Sequence, residues 1–102
     1  MNNHFLDAKG RPRSVITGMG VMSPLGHTLE ESWDSLLNGR SGIGPITNFD
    51  ATNFPCRIAG EVKNFVAKKY IDFKEARRMS RASQLAVAAA RMALDDAGLP
   101  EP

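Results

Sequence analysis

Residues 14–43 read S-V-I-T-G-M-G-V-M-S-P-L-G-H-T-L-E-E-S-W-D-S-L-L-N-G-R-S-G-I. The first four residues are a short β-rich run with little polarity. Without alternation, the run reads as a strand covered on both faces, as in a parallel sheet; such a strand needs neighbours, and this chain offers few. Gly18 and Gly20 turn the backbone, and Ser23-Pro24-Leu25-Gly26 turns it again. A helix is predicted from Thr28. There Thr28-Leu29-Glu30-Glu31 makes a capping box, in which the Thr hydroxyl takes the third helical N–H and Glu31 reaches back. Leu29, Trp33, Leu36 and Leu37 fall on one stripe at helical spacing, and Asn38-Gly39 supplies a left-handed stop. Residues 41–47 read as a loop with two glycines and a proline.

Working outward, residues 57–62 have strand character, at an edge or in a hairpin. Asp72-Phe73-Lys74-Glu75 is a second capping signature and starts a short helix to about Met79. Ser80 caps a last helix that runs to about Ala97 and ends at Gly98. Its apolar residues, mostly alanines, surround most of its circumference. It should therefore be buried between layers, with close backbone approach. Neither an internal repeat nor a low-complexity tract interrupts the chain.

The 102 residues bound the chain to one domain or part of one, with room for a modest core. Composition is that of an ordinary globular protein, 42% hydrophobic and 24% charged. A net charge of +2 does not by itself argue for nucleic acid. No apolar stretch approaches the ~20 residues of a membrane span. Residues 1–12 are polar, lack the apolar centre of a signal peptide, and read as a flexible tail. One cysteine cannot form an internal disulfide, which fits a reducing, cytoplasmic setting.

Gly18-Met19-Gly20-Val21-Met22-Ser23 invites comparison with a dinucleotide-binding loop. Ser23 stands where the third glycine belongs, Pro24 follows, and the next helix starts too late to face a pyrophosphate. A tight structural turn is the better reading. Cys56 sits in Phe54-Pro55-Cys56-Arg57-Ile58, with no helix start to lower its thiol pKa, and reads as an incidental small side chain. His4 falls in the tail and His27 before a helix cap, where it reads as a solvated turn residue. Neither has a ligand-spaced neighbour, so no metal site and no cofactor are expected. Lys68, Lys69, Lys74, Arg77, Arg78 and Arg81 face only Asp72 and Glu75. Lys74, Arg77, Arg78 and Arg81 stand at i, i+3, i+4 and i+7, which gathers them on one helical face, with Phe73 and Ala76 turned to the core. The residues alone leave two readings open, a solvated basic face or a docking surface for an anionic partner. Nucleic acid is disfavoured because few aromatics interleave and no binding motif accompanies the cluster.

The order of features in 14–43 resembles the opening of a β-ketoacyl-(acyl carrier protein) synthase, the condensing enzyme of fatty-acid synthesis. The resemblance continues through Phe49-Asp50, Ile58-Ala59-Gly60-Glu61-Val62 and Lys74-Glu75-Ala76-Arg77-Arg78-Met79 to Asp95-Asp96-Ala97-Gly98-Leu99. It is similar above all to the elongating type II enzymes. It implies an α/β fold, with this chain as the N-terminal fragment of a thiolase-like αβαβα layered architecture. Residues 13–102 would be an incomplete N-terminal portion of the synthase domain.

The resemblance also implies a function: decarboxylative condensation of acyl- and malonyl-carrier protein, in a homodimer. Family members are several times longer, and the Cys/His/His set that does the chemistry lies beyond this chain. No catalytic residue is therefore expected here, and the isolated chain should be inactive. In the family, the positions matching Lys74, Arg77 and Arg78 belong to the basic patch that docks acyl carrier protein. That makes the carrier the expected partner, with neither nucleic acid nor membrane. A polyketide-type ketosynthase or catalytically silent partner subunit, and a non-catalytic carrier-interaction module, remain open beside this reading.

Overall fold

The computed structural model describes residues 4–100. In chain order it contains α1 (Leu29–Leu37), β1 (Ile43–Pro45), β2 (Ile58–Gly60), a 3₁₀ turn (Ala67–Lys69), α2 (Phe73–Ala76) and α3 (Arg81–Ala97). The two strands form an antiparallel pair, in register Ile43 with Gly60, Gly44 with Ala59 and Pro45 with Ile58. Half of this hairpin lies in the stretch expected to be loop. Pro45 is tolerated at a strand end because a two-stranded sheet leaves an edge that needs no donor.

Residues 14–17 pair with no strand, and Val15 and Ile16 are 75% and 84% exposed. The covered parallel strand expected there is not formed. A strand is held by ladder hydrogen bonds from a neighbour, and no other described segment of this chain lies alongside to supply them. Residues 4–12, expected to be part of a tail, carry a local turn that also takes in Arg13. Leu6 bridges Pro12, and the N–H of Arg13 donates to Phe5 O at 2.8 Å. The Asp7 carboxylate accepts from the N–H groups of Lys9 and Arg11 and from Arg11 Nε. The Arg11 N–H bond is the chief reason its pKa lies below the ordinary value. Met1–Asn3 lie outside the described residues.

The helix ends follow local chemistry. Thr28 Oγ1 accepts the Glu31 N–H at 3.1 Å, but Glu31 reaches back to the N–H of His27 rather than to that of the cap itself. Ser80 caps α3 through the Ser83 N–H, and Gly98 closes it in the left-handed region at φ 70°. Asp72 begins α2, yet its side chain makes no capping bond. The helix is four residues long and continues to Met79 only as successive turns.

Packing departs from the helical stripes. α1 docks by its polar face. Ser35, its one buried residue, donates to Leu25 O at 2.9 Å, and Ser32 lies 2.8 Å from Ser23 Oγ. Leu29, Trp33, Leu36 and Leu37 are all exposed. On α3 only Ala88 is fully covered, against the expectation of a helix enclosed on most sides. The closest packing is backbone to backbone: the segment containing Gly18 and Gly20 crosses the Ala89, Ala93 and Ala97 row of α3. A Cβ at Gly18 would stand 2.6 Å from Ala97 N, and one at Gly20 would stand 2.7 Å from Ala93 N.

The described core is small, comprising Ala51, Ile71, Ala76 and Ala88. The radius of gyration is 18.4 Å, against about 13 Å for a compact domain of similar length. Sheet and helices do not close on one another, so the layers of the expected architecture are not assembled within these residues.

Candidate functional site

The basic surface is built around α2. The 3₁₀ turn contacts both α2 and α3, and its flanks are fixed by aromatic stacking. Phe65 and Tyr70 lie nearly parallel, with centroids 6.0 Å apart. Arg81 closes the stack, its guanidinium 5.4 Å from the Phe65 centroid while Nη2 donates to Val62 O at 2.6 Å. From α3, Gln84 donates to Ala76 O at 2.9 Å and ties the end of α2 to the next helix. Ala76 and Ile71 are buried beneath.

On this support Lys74, Arg77 and Arg78 are exposed and together line an open cavity of about 460 Å³. Among the described residues none of the three forms an ion pair. Three unpaired cations on one short segment repel one another, and an anionic partner would relieve that repulsion. The sequence grouping needs two corrections. Arg81 does not join the basic face, because the helix ends at Ala76 and α3 starts at Arg81, so the i+7 spacing does not hold. Its side chain is taken up by Val62 and Phe65 instead. Phe73, expected to point to the core, is 61% exposed, and Arg77 lies over its ring at 5.7 Å. A four-residue helix presents too little surface to bury both Phe73 and Ala76.

The remaining candidates fall elsewhere. The Gly18–Gly20 turn backs onto α3, where a Cβ at either glycine would meet the helix backbone. Cys56 is exposed two residues before β2, its Sγ directed at Ile58 O. No helix N-terminus is at hand to activate it. His4 is exposed in the N-terminal turn. His27 lies in a bend, half-buried, and is more than a solvated turn residue: its Nε2 lies 2.6 Å from Lys63 O, so that nitrogen carries the proton and donates. Among the described residues no cluster of three metal-ligating side chains forms, and no helix is long and apolar enough to cross a membrane.

One polar anchor was not legible beforehand. Glu61 is buried just after β2. Its carboxylate accepts the Thr47 N–H at 3.0 Å, the Thr47 hydroxyl at 2.9 Å and the Asn48 N–H at 3.0 Å. Led by the Thr47 N–H, these bonds hold its pKa below the ordinary carboxylate value against the opposing effect of burial. The available signal was a lone acid after an apolar strand, which does not name its partners across the hairpin.

The site therefore offers an exposed cationic surface, Lys74, Arg77 and Arg78, held on a short helix tied to α3. Comparison with known proteins gives this surface its context. The family model described as Beta-ketoacyl synthase, N-terminal domain, matches residues 12–102. The chain is 49% identical over 89 residues to a protein of Synechocystis sp. named 3-oxoacyl-[acyl-carrier-protein] synthase 2, covering 87% of this chain and 21% of that protein. It is 53% identical over 87 residues to the protein of the same name from Vibrio harveyi, covering 85% of this chain and again 21% of the relative. Among solved structures, the ishigamide ketosynthase/chain length factor matches with a TM-score of 0.77 and 49% identity, over 85% of this chain and 22% of that one. The chain thus spans about a fifth of the length of these relatives. The match of nearly the whole chain in sequence and in backbone shows that it belongs to the β-ketoacyl synthase family and carries the N-terminal region of its thiolase-like α/β fold.

Proposed function

We propose that residues 13–102 are the N-terminal portion of a 3-oxoacyl-(acyl carrier protein) synthase of the elongating type, working in the cytoplasm as a homodimer. In that enzyme an acyl group passes from its carrier to an active-site cysteine. Malonyl-carrier then loses carbon dioxide, and the resulting carbanion attacks the thioester to give β-ketoacyl-carrier. Cys56, His4 and His27 are not that machinery. The contribution of this region is to receive acyl carrier protein on Lys74, Arg77 and Arg78. The observation that carries the reading is the joint exposure of these three unpaired cations in a chain about half identical to carrier-dependent synthases.

The test is titration of acyl carrier protein onto the full-length protein bearing this region and onto its Lys74→Glu, Arg77→Glu, Arg78→Glu triple variant. Affinity should fall at least about tenfold, or about 1.4 kcal/mol, and the difference should shrink as salt screens it. Equal affinity at low ionic strength would return the cluster to a solvated face. Similarity to the ishigamide ketosynthase/chain length factor favours a second reading, a polyketide-type ketosynthase or silent partner subunit. Assay of the polypeptide bearing this region for carbon dioxide release from malonyl-carrier, with fatty-acyl or polyketide primers, separates the two.

A further inference from the structure

Among the asparagines of the sequence, Asn38 alone precedes a glycine, while Asn48, Asn53 and Asn64 each precede a phenylalanine. Asn38 caps the C-terminus of α1 at φ −89° and ψ 6°, and Gly39 follows in the left-handed region at φ 66°. Both residues are exposed. A Cβ at Gly39 would meet nothing within 4 Å, so that side of the residue is open to water.

We propose that Asn38 is a site of spontaneous deamidation and isomerisation, with water as the co-reactant and the Asp34 carboxylate as the latch that slows it. The Gly39 main-chain nitrogen gives up its proton to a solvent base and attacks Asn38 Cγ. An N–C bond forms, the Cγ–Nδ2 bond breaks, and the amide leaves as ammonia after taking a proton from water. Water then opens the cyclic imide at either carbonyl, leaving an aspartate or an isoaspartate at this position. One amide and one water become one carboxylic acid and one ammonia, with no oxidant or reductant.

Hydrogen bonds oppose this ring closure. Asn38 Nδ2 donates to Asp34 O at 2.8 Å and to Asp34 Oδ1 at 3.1 Å, and the Gly39 N–H donates to Leu36 O at 3.2 Å. Arg40 holds Asp34 in place, its Nη1 lying 3.1 Å from Oδ2. Closure needs Asn38 Cβ and the Gly39 nitrogen eclipsed about the Cα–C bond. Tetrahedral geometry at Cα puts that arrangement well away from a ψ near zero. The reaction therefore proceeds from an opened last turn, and helix ends open at little cost. A Cβ on the following residue would crowd the attack, and glycine has none.

The product alters the end of α1. The new carboxylate has no Nδ2 to donate, stands one helical turn from the Asp34 carboxylate, and faces the negative end of the helix. An isoaspartate also routes the main chain through the former side chain and lengthens it by a methylene. Each conversion should therefore loosen the last turn of α1 and make the protein more acidic by one charge. Cleavage after Arg13 and Arg40 releases peptide 14–40, in which Asn38 is the sole side-chain amide.

The experiment incubates the full-length protein bearing this region in warm, mildly alkaline buffer, folded and urea-unfolded. Peptide 14–40 is followed by mass spectrometry, with an isoaspartate-specific methyltransferase as a second readout. Acid and isoaspartate should accumulate in this peptide of the folded protein, while the peptides carrying Asn48, Asn53 and Asn64 stay unconverted. Asp34→Ala should speed conversion about fivefold, the gain in opened turn from losing one hydrogen bond. Asn38→Gln, whose longer side chain closes a ring poorly, should stop it. Absence of conversion in the folded protein overturns the proposal, whether or not the unfolded protein converts. Equal rates in folded and unfolded protein overturn the restraint by the α1 cap. An Asp34→Ala rate equal to wild type, or equal acceleration at every asparagine, overturns Asp34 as the latch.

Discussion

The main-chain N–H of Met19 donates to Oδ2 of Asp96 across 2.9 Å, joining residues 77 positions apart. Asp96 stands in the last turn of α3, which has no basic residue of its own. A carboxylate there opposes the helix dipole, and the Met19 N–H offsets part of that opposition. The bond fixes where the glycine turn crosses the helix.

Replacing Asp96 with Ala should lower unfolding free energy by about 1 kcal/mol, the usual worth of one such bond. Asp96→Asn, which keeps an acceptor, should lose less. Urea unfolding of the three chains measures the difference.

The crossing itself depends on absent side chains. A Cβ at Gly20 would meet the Ala89 carbonyl and stand 2.8 Å from Met92 Cβ. Backbone cannot move aside as a flexible side chain can. Gly20→Ala should destabilise by about 1–3 kcal/mol or more, while Gly44→Ala, where a Cβ meets open space, should change stability far less. Thermal denaturation of the pair is the check.

Glu61 links stability to pH with a defined sign. Its folded pKa is lowered, chiefly by the Thr47 N–H. The stabilisation is therefore complete above the unfolded glutamate value of about 4.3 and is lost as pH falls through the lower folded value. Asp7 and Asp50 act with the same sign, Asp50 through the Thr52 hydroxyl first. Glu61→Gln should lower stability at neutral pH and flatten its fall below about pH 4.3. Unfolding midpoints across pH 2–7 in about one-unit steps would show it. A parallel pH dependence in the variant would remove Glu61 as the source.

The uncovered apolar surface has its own signature. Trp33 is 57% exposed, and Leu36, Leu37, Val15 and Ile16 are more so. Trp33 fluorescence should show water-like emission and be readily quenched by iodide. The isolated chain should bind ANS and self-associate, because this many exposed large apolar side chains favour association. Blue-shifted emission protected from iodide would contradict the exposed arrangement.

Much of the chain was legible residue by residue. Thr28, Ser80 and Gly98 end their helices as their side chains or lack of one require, since caps act within a few residues of sequence. The cations on 74, 77 and 78 and the strand character near residue 58 were equally local. The family could be seen because the stretches that resemble it follow one another in order along nearly the whole chain. Other features needed contacts between distant residues. Periodicity marks the apolar stripe of α1 but does not say what covers it, and here the Ser32–Ser35 face docks instead. Similarly, i+7 spacing placed Arg81 with Arg78, until a helix break turned it onto Phe65.

By itself, then, the sequence determined where α1 and α3 start and stop, which residues are charged, and membership of the β-ketoacyl synthase family, because these follow from short-range chemistry and the order of the motifs. Only the tertiary structure decided that residues 14–17 lack a strand partner, that Gly18 and Gly20 lie on the alanines of α3, that Glu61 holds the Thr47 turn, and that Phe73 is exposed beneath Arg77. Each of these depends on which distant groups meet, and hydrogen bonding, steric exclusion and burial act on the groups that meet rather than on their order in the chain.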